Sequence, residues 1–144
     1  MTSPPAPNVS RVELTVRFVE TDMMGIVHHS NYFHYFEMGR VDYLKKRGLD
    51  YALWSARGLQ MPLASASIRY RRPARFDDVL VLETRCVEVK RATASFAYRL
   101  TKGDELLTEA ETLMACVGMS LAPCRMPDDI AARLVGPEGG APGP

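Results

Sequence analysis

Between Thr21 and Tyr32 the chain reads Thr-Asp-Met-Met-Gly-Ile-Val-His-His-Ser-Asn-Tyr, and its residue types and spacing could do chemistry together. Asp22 is a carboxylate able to take up a proton or attack a carbonyl. Gly25 permits a sharp backbone turn just after it. A helix starts near Tyr32, and the backbone N–H groups and partial positive charge at its N-terminus suit a developing oxyanion. A carbonyl held there would be polarised from one side and met by Asp22 from the other. That is the layout for hydrolysis of an activated acyl group, with Asp22 as general base or nucleophile. Ser30 or Asn31 is placed to cap the helix, and the His29 ring can orient a carboxylate or donate a hydrogen bond.

Other candidates compete less well. His28, His29 and His34 invite a metal reading, but adjacent histidines on an extended segment point to opposite sides, and no second carboxylate or cysteine has ligand spacing. No metal and no cofactor is therefore expected. There is no G-x-S-x-G elbow, P-loop or G-x-G-x-x-G. Glu37 reads either as a second catalytic carboxylate, or as a partner for Arg40 at i,i+3 or a buried polar contact. The basic turn Lys90-Arg91-Ala92-Thr93 is either solvated surface or a phosphate clamp. Arg69, Arg71, Arg72 and Arg75 form a second basic group.

The elements that must hold these residues follow from periodicity. Val12, Leu14, Val16 and Phe18 alternate with polar residues, as in a half-buried strand. A proline-free stretch from Tyr32 to Arg47 predicts a helix. Phe33, Phe36, Arg40 and Tyr43/Leu44 share one face of it, and Tyr32, Tyr35, Met38 and Val41 widen the apolar surface, which suits a helix covered on most sides. Lys45-Lys46-Arg47 complements the C-terminal end of the dipole, and Gly48 stops it. An irregular stretch runs to Gly58. Strands then return: Ala64 to Tyr70, closed by Pro73; Val79 to Val89; Ala94 to Leu100, ending in the turn Lys102-Gly103-Asp104; and Leu107 to Met119, with Leu113, Ala115 and Val117 on one face. One strand, one long helix and four mostly antiparallel strands make an α+β fold in which a curved sheet cradles the helix.

The 144 residues allow one domain, expected over residues 10–135, with flexible termini at 1–9 and 136–144. A 47% apolar and 24% charged composition is that of a soluble globular protein. A formal charge of +1 gives no global attraction to nucleic acid or anionic membranes. No apolar run would span a bilayer, and the Pro-rich start lacks the layout of a secretory signal, so a cytoplasmic protein is expected. Cys86, Cys116 and Cys124 read as reduced thiols in packing roles.

These residues resemble the hotdog-fold acyl-CoA thioesterases of the 4-hydroxybenzoyl-CoA thioesterase type, especially the YbgC-like branch. The family signature T-D-x-x-G-[IV]-V-x-H-x-x-Y is matched at every fixed position by Thr21 through Tyr32. Arg72-Pro73-Ala74-Arg75-Phe76-Asp77-Asp78 is similar to the family's loop before its third strand, and Lys90 to Thr93 to its basic turn. The resemblance implies a five-stranded antiparallel sheet wrapped around the helix, with Asp22 as the catalytic carboxylate and the backbone N–H of His29 on the thioester carbonyl. It implies that Lys90, Arg91 and Thr93 hold the phosphates or pantetheine of coenzyme A, which is part of the substrate. It also implies a homodimer joined through its sheets, frequently paired into a homotetramer. The substrate would be an acyl-CoA or acyl carrier protein thioester, cleaved to a free acid and a thiol. Met23, Met24, Tyr32 and Phe33 are the candidate acyl-pocket residues, with Met23 and Met24 bulkier than is common there. A non-catalytic acyl-CoA-binding module and an enoyl-CoA hydratase are the alternatives on the same fold.

Overall fold

The computed structural model describes residues 8–136. Seven strands and three α-helices run in the order β1 (Val9–Thr15), α1 (Asn31–Lys45), α2 (Tyr51–Ala56), β2 (Leu59–Gln60), β3 (Leu63–Tyr70), β4 (Val79–Val89), β5 (Thr93–Lys102), β6 (Glu105–Ala115), β7 (Val117–Gly118) and α3 (Asp128–Leu134). The main sheet is five-stranded and antiparallel in the order β1-β4-β5-β6-β3, and β2 pairs with β7 in a separate ribbon. The expected α+β architecture, a five-stranded antiparallel sheet with one long helix against it, is what forms.

The buried face of α1 is Tyr32, Tyr35, Phe36, Gly39 and Tyr43. It meets inward residues of the sheet such as Leu80, Leu82, Phe96, Tyr98 and Leu100. Rings interlock across this layer, with Phe36 and Tyr98 4.7 Å apart and Tyr43 and Phe96 5.6 Å apart between centroids. Gly39 is the closest approach: a Cβ there would collide with Thr84 Oγ1 and lie 2.7 Å from Leu82 Cδ2. Phe33, expected on the inner face, is 39% exposed, and Met38 and Val41 are 46% and 44% exposed. Within one chain the helix is thus covered on one side only. A run of apolar residues widens the candidate face, but the one glycine that lets the backbone approach β4 selects the face that packs.

Several boundaries differ from the expectation. β1 stops at Thr15, and Phe18–Glu20 forms a short 3-10 turn that leaves Phe18 exposed. The stretch before Gly58 contains α2, capped by the Asp50 carboxylate on the Leu53 N–H and anchored by buried Trp54. On β6 the inward residues are Thr108, Ala110, Thr112 and Met114, the opposite parity to Leu113 and Ala115. A register shift between Leu100 and Thr101 turns the strand over, and buried threonines disguise the inner face. β6 ends at Ala115, and Val117 moves to pair with β2. That departure sets Cys116 opposite Cys124, whose N–H donates to the Cys116 carbonyl at 2.9 Å. The expected flexible termini fall outside the described residues except for Asn8, Val9 and Gly136. Asn8 Nδ2 donates to the Cys86 carbonyl at 2.7 Å, and Arg47 Nε donates to the Gly136 carbonyl at 3.1 Å.

Candidate active site

The segment 21–27 folds back on itself as a miniature hairpin. Thr21 bridges Val27, the Asp22 N–H donates to the Ile26 carbonyl at 2.8 Å, and the Gly25 N–H donates to the Asp22 carbonyl at 3.0 Å. Gly25 takes φ +77°, the left-handed conformation this turn requires. The Asp22 carboxylate accepts the Met24 N–H on Oδ1 at 2.8 Å, an Asx turn that fixes the side chain and leaves Oδ2 without a donor among the described residues. Asp22 is half-buried.

From Val27 the chain leads into α1 with its N–H groups engaged in turn. Val27 donates to Ala74, His28 to Glu20, Asn31 to His28 and Tyr32 to His29, all through backbone carbonyls, and the Ser30 N–H donates to His28 Nδ1 at 3.3 Å. The exception is His29, whose N–H has no acceptor among the described residues. Of the amides from Val27 to Tyr32 it is the one left without an acceptor. Its peptide is fixed nonetheless, because the His28 carbonyl of the same peptide accepts from the Asn31 N–H at 2.9 Å, and the next carbonyl, that of His29, accepts from the Tyr32 N–H at 3.3 Å and the Tyr70 hydroxyl at 3.5 Å. Neither expected cap forms. Ser30 Oγ pairs with His28 Nδ1 at 2.8 Å, and Asn31 Nδ2 donates to the Glu20 carbonyl at 2.9 Å.

The histidine rings also depart from expectation. His28 and His29 do not point apart; the tight turn stacks them with centroids 4.1 Å apart. His34 faces a different surface groove, beside Val12, Glu37 and Met38. Among the described residues no three His, Cys, Asp or Glu side chains gather as a metal-holding group. Arg40 donates to the Tyr98 hydroxyl at 3.0 Å and not to Glu37, which is exposed on the helix.

The acyl-pocket candidates are not brought together. Met23 and Met24 project outward, 105% and 73% exposed, because the hairpin turns its tip away from the core. Tyr32 is buried between Tyr35 and Tyr70, while Phe33 lies over Phe36 on the open side of the helix. An apolar groove of about 510 Å³ lies further along α1, lined by residues including Leu44, Trp54, Leu59, Met61 and Met114.

Lys90, Arg91 and Thr93 stand far from Asp22 in the same chain. The row Leu100–Thr108–Tyr70 crosses the sheet at the end where Tyr70 touches His29. Thr93 lies seven residues back along β5 from Leu100, about 23 Å at the rise of an antiparallel strand. Both cations are exposed, and Lys90 Nζ reaches Glu88 at 3.5 Å. The Arg91 carbonyl accepts the Met126 N–H at 2.6 Å, which carries Arg125 to the same corner. The other basic group is engaged elsewhere: Arg71 pairs with Glu109 at 2.8 Å and Arg72 with Glu105 at 3.4 Å.

Glu20 was invisible to the motif reading. It is 5% exposed, and its carboxylate accepts from the Arg17 N–H at 2.8 Å and the Tyr35 hydroxyl at 2.9 Å, with the Arg17 guanidinium 3.1 Å away. Burial alone would raise its pKa. The donors from Arg17 and Tyr35 outweigh it and hold the carboxylate below its usual range. Burial and the neighbouring Glu20 push the Tyr35 phenol up, so it remains a donor. A charged residue beside an aromatic-rich helix start was the available sequence signal.

A family description, the thioesterase-like superfamily, matches residues 16–134. The acyl-CoA thioesterase YbgC of Haemophilus influenzae is 33% identical over 121 residues, 83% of this chain and 89% of that protein. Among solved structures, the hypothetical protein TT1821 of Thermus thermophilus is 38% identical with a TM-score of 0.81, covering 88% of this chain and 95% of that one. The DHNA-CoA thioesterase of Staphylococcus aureus is 28% identical with a TM-score of 0.78, covering 81% and 80%. Similar in sequence along most of its length and in the course of its backbone, the chain belongs to the thioesterase-like superfamily and has the hotdog fold.

Proposed function

We propose that this protein hydrolyses acyl-CoA thioesters to a free acid and coenzyme A, with Asp22 as general base or nucleophile and the His29 N–H polarising the thioester carbonyl. The observation that carries this reading is the free N–H of His29. Among the described residues, every amide between Val27 and Tyr32 but that of His29 finds an acceptor, and the same hydrogen-bonded loop holds Asp22 with one carboxylate oxygen open. A fixed N–H donor with no partner is what a developing oxyanion needs. The acyl-CoA activity named for the Haemophilus influenzae relative supports the substrate class; an acyl carrier protein thioester is the neighbouring candidate.

The working unit in this reading is a homodimer, paired into a homotetramer. Lys90, Arg91 and Thr93 are a sheet's length from Asp22 of their own chain, so they serve a CoA bound at a partner's Asp22. The open side of α1 and the largely exposed edge strand β3 are the surfaces available for such pairing. No helix among the described residues is long and apolar enough to cross a membrane.

The test is thiol release from a panel of short, long and aromatic acyl-CoA esters by the parent protein and Asp22→Asn. Hydrolysis by the parent and a loss of at least about a hundredfold in the variant is expected, on the scale of a lost general base. Binding without thiol release, or an unimpaired variant, would overturn the reading. Hydration of an enoyl-CoA with its thioester intact would replace it with the hydratase alternative.

A further inference from the structure

Glu20 joins the two limbs of the candidate site through two different parts of one residue. Its carboxylate grips α1, by way of the Tyr35 hydroxyl at 2.9 Å, and grips the 3-10 turn, by way of the Arg17 N–H and guanidinium. Its backbone carbonyl accepts the His28 N–H at 2.9 Å and Asn31 Nδ2 at 2.9 Å. Those two donors flank the His29 peptide on either side. Asp22 is two residues further along the same chain, so a single residue fixes the start of the hairpin carrying the carboxylate and the strand carrying the free N–H.

We infer that Glu20, acting with Tyr35, is a positioning residue that sets the register between the Asp22 carboxylate and the His29 N–H. This rests on the thioesterase reading of that site. Neither residue touches the proposed reacting atoms; each acts through the loop. A buried carboxylate is an expensive way to make a turn, because it must be desolvated and then satisfied. Here the donors that satisfy it come from elements on both sides of the site, Arg17 before the loop and Tyr35 one turn into the helix. Cutting either connection frees the hairpin to shift against α1. Catalytic groups are sensitive to such shifts, since misplacement by about 1 Å can cost about a hundredfold in rate.

The test measures kcat and KM for one acyl-CoA ester with Glu20→Ala, Glu20→Gln, Tyr35→Phe and the Glu20→Ala/Tyr35→Phe double variant, beside Asp22→Asn. Circular dichroism at the assay temperature gives the folded fraction of each. Glu20→Ala should lower kcat by about tenfold or more with KM within about twofold, the split expected when alignment and not binding is lost. Glu20→Gln keeps acceptors for Tyr35 and the Arg17 N–H, and should recover part of the loss. The double variant should be no slower than the poorer single one, because both cut the same connection. The inference is overturned by kcat within twofold of the parent in folded Glu20→Ala and Tyr35→Phe, by a KM rise matching the kcat fall, or by a loss that vanishes once the folded fraction is counted. If Asp22→Asn is inactive while the Glu20 and Tyr35 variants are not impaired, only this inference fails. If Asp22→Asn turns over normally, the site reading fails with it.

Discussion

The guanidinium of Arg47 lies 3.5 Å above the ring of Tyr43, and both side chains are buried. They sit one turn apart at the end of α1, where the sequence shows a run of three cations and suggests solvated charge. Arg47 turns inward instead. Its Nη1 donates to Ser10 Oγ at 2.8 Å and to the Tyr43 carbonyl at 3.1 Å, and the Tyr43 hydroxyl donates to the Leu134 carbonyl. The pair ties the helix to β1 on one side and to the chain beyond α3 on the other.

Removing that cation leaves Ser10 Oγ and several carbonyls without their donor in a closed space, and forfeits a desolvated cation–π contact. Arg47→Ala is expected to cost about 1–3 kcal/mol, the scale for leaving buried hydrogen-bonding groups unsatisfied. Arg47→Met keeps much of the stem's packing and should cost less. Urea unfolding of the three proteins checks both the size and the order; equal stabilities would contradict the network.

Gly39 should tolerate no side chain, although it lies mid-helix, where alanine is the better helix former by about 1 kcal/mol. The added methyl would meet Thr84 and Leu82 on β4. Gly39→Ala should therefore destabilise by about 1–3 kcal/mol, the usual range for overpacking a core. Gly39→Ala combined with Thr84→Ser tests the cause, because thermal unfolding should show no recovery when the offending hydroxyl is retained, and partial recovery with Thr84→Ala.

The two buried faces explain what the sequence could and could not convey. The turn within Thr21 to Tyr32 was legible in outline because it is local backbone: a carboxylate, a glycine at positive φ and a helix start follow one another. The succession of the five main strands along the chain was legible from alternation. The inner face of α1 was not, because Phe33, Met38 and Val41 are as apolar as the residues that pack; Gly39 decides the matter through a contact with β4, far away in sequence. The parity of β6 was hidden for a related reason: Thr108 and Thr112 face inward, and the strand shifts register against β5. Glu20 escaped notice because its meaning lies in Tyr35, fifteen residues away.

Acid should weaken the fold partly through Glu20. Its native carboxyl is held below the ordinary value of 4.5 by its donors from Arg17 and Tyr35, against the opposing effect of burial. A depressed carboxylate contributes stability that is complete above the unfolded pKa and is lost as pH falls through the lower native one. Between those values the unfolded chain binds more protons, so stability rises with pH. Denaturation midpoints measured from pH 7 to pH 2.5 should fall less steeply below about pH 4.5 in Glu20→Gln than in the parent, with the gap between the two closing in acid. Parallel curves would mean that Glu20 is not bound as described.

The distance between Asp22 and the basic turn yields the last prediction. Lys90 and Arg91 are exposed and lie about 23 Å along β5 from the row that carries Tyr70, so in the proposed dimer they serve the CoA held at a partner's Asp22. Their charge bears on the nucleotide end of the substrate, remote from the reacting carbonyl. Lys90→Ala with Arg91→Ala should raise KM for acyl-CoA severalfold and leave kcat near the parent value, because uniform binding is what is removed. KM for a small thioester lacking the nucleotide should not change. The effect should shrink as salt rises, since exposed charges separated by more than about 10 Å are screened at 0.1 M ionic strength. The dependence on a second chain has its own readout. Mixing an excess of Asp22→Asn subunits that keep Lys90 and Arg91 with the double variant should restore low KM to those Asp22 sites that acquire a partner with an intact basic turn. If KM in the mixture stays at the value of the double variant although mass analysis shows exchanged subunits, the phosphates are held within the same chain or by other residues.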